Sequence, residues 1–174
     1  MSTTVSAETT ATTTAYRTPQ VDLALLLVRI VPFGVLAVFG AQKLFGAFGG
    51  GGLTATEASF AQMGYHPPLF FALLGGGCEF AGGLLLLFGA LTPLAAAMVM
   101  GVMINAFAAV ADKPLETAAL PVILLVIAAA LAFSGPGRFS LDAGRPWQRT
   151  GFTWGGVSVA LAVVTAGASL VVAH

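Results

Sequence analysis

The chain has 174 residues, 57% of them hydrophobic and only 8% charged, with seven basic and seven acidic side chains in balance. A soluble domain carries roughly a quarter charged residues, so this composition cannot cover a water-facing surface; helices that satisfy their own backbone hydrogen bonds in lipid fit it instead. Zero net charge leaves no basic field for nucleic acid, and the single cysteine, Cys78, excludes an intrachain disulfide, a CxxC redox pair and a cysteine-built zinc site.

In chain order, Met1–Gln20 is rich in Thr and Ala and reads as a disordered tail. It is not a signal peptide, since no short basic start leads into an apolar core and a small-residue cleavage site. Five spans follow, each set against the roughly 20 residues that cross a bilayer: Leu23–Phe45, Leu69–Phe88, Leu94–Val110, Leu115–Phe133 and Gly156–Val172. Pro32 and Pro121 lie inside spans, where neighbouring helices re-satisfy the freed carbonyl. Pro68, Pro93 and Pro114 lie at helix starts, where a missing N–H costs little. Between the first two spans, Ala47–Gly52 is glycine-rich and expected to be flexible. Thr54-Ala55-Thr56-Glu57 matches a capping box, and Phe60 and Met63 follow at helical spacing. Ala55–Met63 is therefore expected to be a short helix on the membrane surface, with an ordinary structured loop as the alternative.

Orientation follows the Lys and Arg count of the short loops. Arg17 precedes the first span, and Arg138, Arg145 and Arg149 lie between the last two; the opposite side has Lys43 and Lys113. This predicts a cytoplasmic N-terminus and Gly135–Gly155 loop, and an outward-facing surface helix, Asp112–Glu116 turn and C-terminus.

Glu79 stands inside an apolar span, where a carboxylate is costly and normally faces a partner or a polar path. Arg29 lies in the first span. The sharper expectation is an Arg29–Glu79 pair across adjacent antiparallel helices; the alternatives are an Arg29 that snorkels to the headgroups and a Glu79 that stands protonated. Gln42, Lys43, Asn105, Glu116 and His66 are candidates to converge with Glu79 on an outward cavity. Against this, Lys43 reads equally as an interfacial anchor, Asn105 as a helix–helix hydrogen-bonding group and His66 as an exposed loop residue. No metal site is expected, and with His66 and His174 as the only histidines a haem held by two histidines of one chain is not expected either. Cys78 reads as a packing residue. Gly75-Gly76-Gly77 and Gly82-Gly83 remove bulk around Glu79, which permits close helix approach or leaves room for a flat ligand. Gly151 and Gly155 form a GxxxG at the head of the fifth span.

Several of these residues together resemble the DoxX family of small bacterial and archaeal membrane proteins: Val28-Arg29-Ile30, Gly34, Gly40-Ala41-Gln42-Lys43-Leu44-Phe45, Met63-Gly64 with Pro67-Pro68, Cys78-Glu79-Phe80-Ala81-Gly82-Gly83 and Gly135–Asp142. The resemblance runs over Val21–Asp142. It implies an all-α, four-helix membrane bundle in the plasma membrane and an association with membrane redox chemistry of the thiosulfate:quinone type. Under it the chain divides into a tail (1–20), a membrane domain (21–142), a loop (143–155) and an extra transmembrane helix (156–174) that serves docking. Two departures weaken a metal or catalytic role: Gly40 where relatives often have a histidine, and the short Ala111–Leu115 connection.

The functional expectation is a subunit of a membrane redox complex that holds a partner or a quinone, with membrane lipids and other membrane subunits as neighbours. It carries no covalent cofactor; quinone or lipid is the ligand class expected. Two alternatives stand beside it: a quinone-linked oxidoreductase for a small sulfur compound, with Glu79 and Arg29 as its catalytic candidates, and a small-solute transporter.

Overall fold

The computed structural model describes residues 18–173, and these form an all-α bundle with no strand among them. Helix α1 spans Pro19–Phe45, so Pro19 and Gln20 belong to it and not to the expected tail. Proline's fixed φ suits a first helical turn, and Asp22 places a carboxylate where the helix dipole favours it. Thr18 is the N-cap of α1, and residues 1–17 of that tail lie outside the described residues. After α1 come a single 3-10 turn (Ala47–Gly49), α2 (Gly52–Gln62), α3 (Pro68–Phe88), α4 (Thr92–Ala108), α5 (Leu115–Ser134) and α6 (Phe152–Ala173).

Helices α1, α3, α5 and α6 are long and apolar enough to cross a membrane. The expected Leu94–Val110 span is α4, which has 17 residues and is shorter. At 1.5 Å per residue it runs about 25 Å, less than the roughly 30 Å hydrocarbon thickness. Its place explains this. α4 packs on α3, α5 and α6 at once and buries Ala95, Ala96, Val99, Met100 and Met103, so protein rather than lipid covers most of its length. Phe33, Leu36, Leu86, Leu124 and Leu131 complete the core around it.

α1 lies along α3 in an antiparallel register set by small residues. A side chain at Gly40 would run into the Phe80 backbone, and a Cβ on Gly83 would sit 2.8 Å from the Ala37 nitrogen. α6 docks on α4 and α5. Gly155 lies against the Phe133 ring, whereas Gly151 faces open space, so only one glycine of the GxxxG makes a contact. The Ser158 hydroxyl donates to the Pro93 carbonyl at 2.8 Å.

The capping box does not form. Thr54 lies inside α2, whose N-cap is Gly51 without a side-chain bond. Tertiary contact decides the start: Gly50 packs directly on Gln42, which brings the chain into helix by Gly52. The threonine that acts is Thr56, which donates to the Lys43 carbonyl at 3.0 Å and ties α2 over the ends of α1 and α3. The glycine-rich connection is correspondingly a packed turn rather than a loose one.

Alternating helix directions give the bundle two ends. One gathers the start of α1, the α3–α4 turn and residues 135–151: the Asp22 carboxylate accepts from the Arg138 N–H at 2.9 Å, and the Leu141 N–H donates to the Phe88 carbonyl at 3.1 Å. The other gathers the end of α1, α2, the α2–α3 loop and the C-terminal parts of α4 and α6.

Candidate functional site

Lys43 occupies the last turn of α1 and Glu79 the middle of α3. The Gly40–Phe80 contact and the edge-to-face Phe45–Phe80 pair, with centroids 5.3 Å apart, put these stretches side by side. The Lys43 ammonium accordingly forms an ion pair with Glu79 Oε1. This corrects the expected Arg29–Glu79 pair. Arg29 lies fourteen residues before Lys43, about 21 Å along the helix, and the same register sets it opposite Gly89 at the other end. It also corrects the reading of Lys43 as a free interfacial anchor. Its side chain is 42% exposed while that of Glu79 is 5% exposed, so the lysine joins a buried carboxylate to the surface.

The pair lies in the wall of a cavity of ≈ 530 Å³. Of the expected residues, Gln42, Lys43, Glu79 and Asn105 converge on it. Glu116 does not: it is exposed at the start of α5, whose main contacts are with α4 and α6. His66 is exposed in the α2–α3 loop. Its neighbour Tyr65, which sequence reasoning passed over, is the residue that turns inward. The Tyr65 hydroxyl donates to Asn105 Oδ1 at 3.1 Å, and its ring stacks between Phe60 and Phe71. Burial pushes the phenol pKa up, so at neutral pH it stays a donor. Ser169 of α6 donates to the same Oδ1 at 2.9 Å, and Asn105 Nδ2 donates to the Gly101 carbonyl at 3.0 Å. Asn105 is thus committed to holding α4, α6 and the α2–α3 loop together. The signal for Tyr65 was an aromatic one residue past the glycine that ends α2.

A second, apolar cavity of ≈ 250 Å³ runs between α3, α4 and α6. Leu74, Cys78, Leu94, Met98 and Leu161 line it, and it shares Phe60, Tyr65, Gly75, Val102 and Asn105 with the first. Leu74, Leu94 and Leu161 are each exposed on the outside of the bundle, so this cleft has a lipid-facing rim. The two are therefore neighbours: a chamber bearing polar side chains at one end of the bundle and an apolar groove beside it.

The opposite end holds the second buried charge cluster. Arg29 is 1% exposed, and its Nη2 donates to the Phe139 carbonyl. Asp142 accepts from the Leu91 and Thr92 N–H groups at 2.9 Å each, from the Thr92 hydroxyl at 2.8 Å and from Trp147 Nε1–H at 3.2 Å. It caps α4 and acts electrostatically on Arg29. Gly89 is packed against Arg29, Ser140 and Pro136, which leaves no room for a side chain there. Neither catalytic candidate therefore shares a site with the other.

A family model, DoxX, matches residues 24–112. The chain belongs to the DoxX family. The matched stretch carries every residue around the polar chamber, from Gln42 to Ala109. The α6 wall of the apolar cleft lies beyond it. Neither the curated proteins nor the solved structures compared with this DoxX-family chain give a match. No group of three or more His, Cys, Asp or Glu side chains among the described residues could hold a metal ion.

Proposed function

We propose that this DoxX-family membrane protein is a subunit of a membrane redox complex and holds a quinone-type carrier in the α1–α3–α4 chamber. The observation that carries this reading is the adjacency of a chamber lined by the Lys43–Glu79 pair to an apolar groove rimmed by lipid-facing leucines, the two sharing five lining residues. That shape suits an amphiphile with a polar ring and an apolar tail, and its volume lies in the range of small-molecule sites. The residues supply positioning and hydrogen bonds; the redox chemistry belongs to the carrier and the partner. The excess of arginines at the Asp142 end supports an outward-facing chamber.

The test is purification of tagged protein from native membranes in mild detergent, with mass spectrometry of copurifying chains and solvent extraction for quinone. The expected result is a stable oxidoreductase partner and about one quinone per chain. A chain that migrates alone and yields no quinone retires the proposal.

A further inference from the structure

One atom of Glu79, a residue of the chamber wall, lacks what buried polar atoms need. Glu79 is 4% exposed, and while Oε1 takes the Lys43 ammonium, Oε2 has no hydrogen-bond partner. A buried carboxylate oxygen without a donor is costly, more so than a neutral group in the same position. The protein offers little to cure it. Asn105 Nδ2 is spent on Gly101 and the Tyr65 hydroxyl on Asn105, and Gln42 Nε2 turns to the Phe48 carbonyl at 3.3 Å. Lys43 is in the opposite condition: an ammonium carries three donors, and its ion pair uses one acceptor.

We infer that the chamber selects a head group carrying a hydroxyl, one that donates to Glu79 Oε2 and accepts from Lys43, so that of a quinone couple it holds the reduced, quinol form. This rests on the reading above that the chamber takes a quinone-type amphiphile. A quinone carbonyl only accepts. It can satisfy Lys43 but leaves Oε2 bare, whereas a quinol hydroxyl serves both. Sites built around a hydroxyl discriminate strongly against analogues that lack it, because the protein group is then left unpaired. The expected preference is at least about tenfold, within the range of what an unpaired buried group costs. Tenfold tighter binding of the reduced form raises the potential of a bound two-electron couple by about 30 mV.

The experiment is anaerobic calorimetric titration of the full chain in nanodiscs with three probes of one shape: a decyl-tailed benzoquinone, its quinol, and the quinol's dimethyl ether. The ether keeps the ring and tail but cannot donate. The expected result is a Kd for the quinol at least tenfold below both others. In E79Q, whose amide can donate as well as accept, quinol and quinone should bind within about threefold of each other, with thermal unfolding run alongside to show that the variant is folded. Equal binding of quinol and ether, or tighter binding of the quinone, by the unaltered protein overturns the selectivity and leaves the quinone-site reading standing. Binding of none of the three overturns both. The unaltered protein with the ligand series decides the matter even if E79Q does not fold.

Discussion

The two ends of this bundle each bury a charge, and they treat it differently. At one end Arg29 is buried beside Gly89 with its Nε and Nη1 unpaired, while its neighbour Asp142 is filled by four donors. At the other, Glu79 borders a chamber of ≈ 530 Å³ with one oxygen unpaired. Both carboxylates are buried, at 2% and 4% exposure. What separates the two carboxylates is therefore neither depth nor residue type, but whether the surrounding chain has supplied every partner and left space alongside. By that criterion Asp142 is a latch between the 135–142 loop and the start of α4, and Glu79 is the candidate site.

The sharpest way to break the comparison is at the latch. Asp142→Ala removes the acceptor for the first N–H groups of α4 and the charge nearest Arg29, and is expected to cost about 3–5 kcal/mol, read as loss of folded protein in SDS titration from mild detergent. Gly40→Ala tests the register that separates the two ends. Its added Cβ meets the Phe80 backbone, so it should destabilise by about 1–3 kcal/mol in the same assay and lower the yield of any copurifying ligand. Lys43→Gln leaves Glu79 buried without its counter-ion. Because Lys43 is partly exposed, the stability cost should be smaller than at Asp142, about 1–2 kcal/mol. If Lys43→Gln instead proves costlier than Asp142→Ala, the assignment of latch and site is inverted. Tyr65→Phe removes one hydrogen bond while keeping the ring stack, for about 1 kcal/mol, with faster hydrogen exchange in the α2–α3 loop. Arg149→Gln, at an exposed position over Trp154, should stay within about 0.5 kcal/mol and serves as the reference.

Much of the bundle was legible in the sequence because its signals are local. Long apolar stretches placed α1, α3, α5 and α6 within a few residues, Pro68 marked the start of α3, and an intramembrane glutamate announced itself by its cost. What stayed hidden depends on register. Arg29 and Lys43 are both on α1, and only the meeting of Gly40 with Phe80 decides which of them faces Glu79. The same holds for α2, where a well-formed capping pattern at Thr54 yielded to the contact of Gly50 with Gln42. Tyr65 and Asp142 were hidden for another reason: each is the inward-turned member of a loop whose other polar residues face out, and neither hydropathy nor periodicity distinguishes it from His66 or Arg138.

The seat of α6 on α4 has a consequence for the number of sites. The third wall of the apolar cleft, from Leu161 to Ser169, is joined to the rest of the chain through residues 135–151, so its arrival is a ring closure rather than an encounter between two bodies diffusing in the bilayer. Diluting the protein in lipid cannot strip that wall away. Each copy of the chain carries its own complete groove however sparsely the membrane is populated, so the amphiphile proposed for it should bind at one per chain.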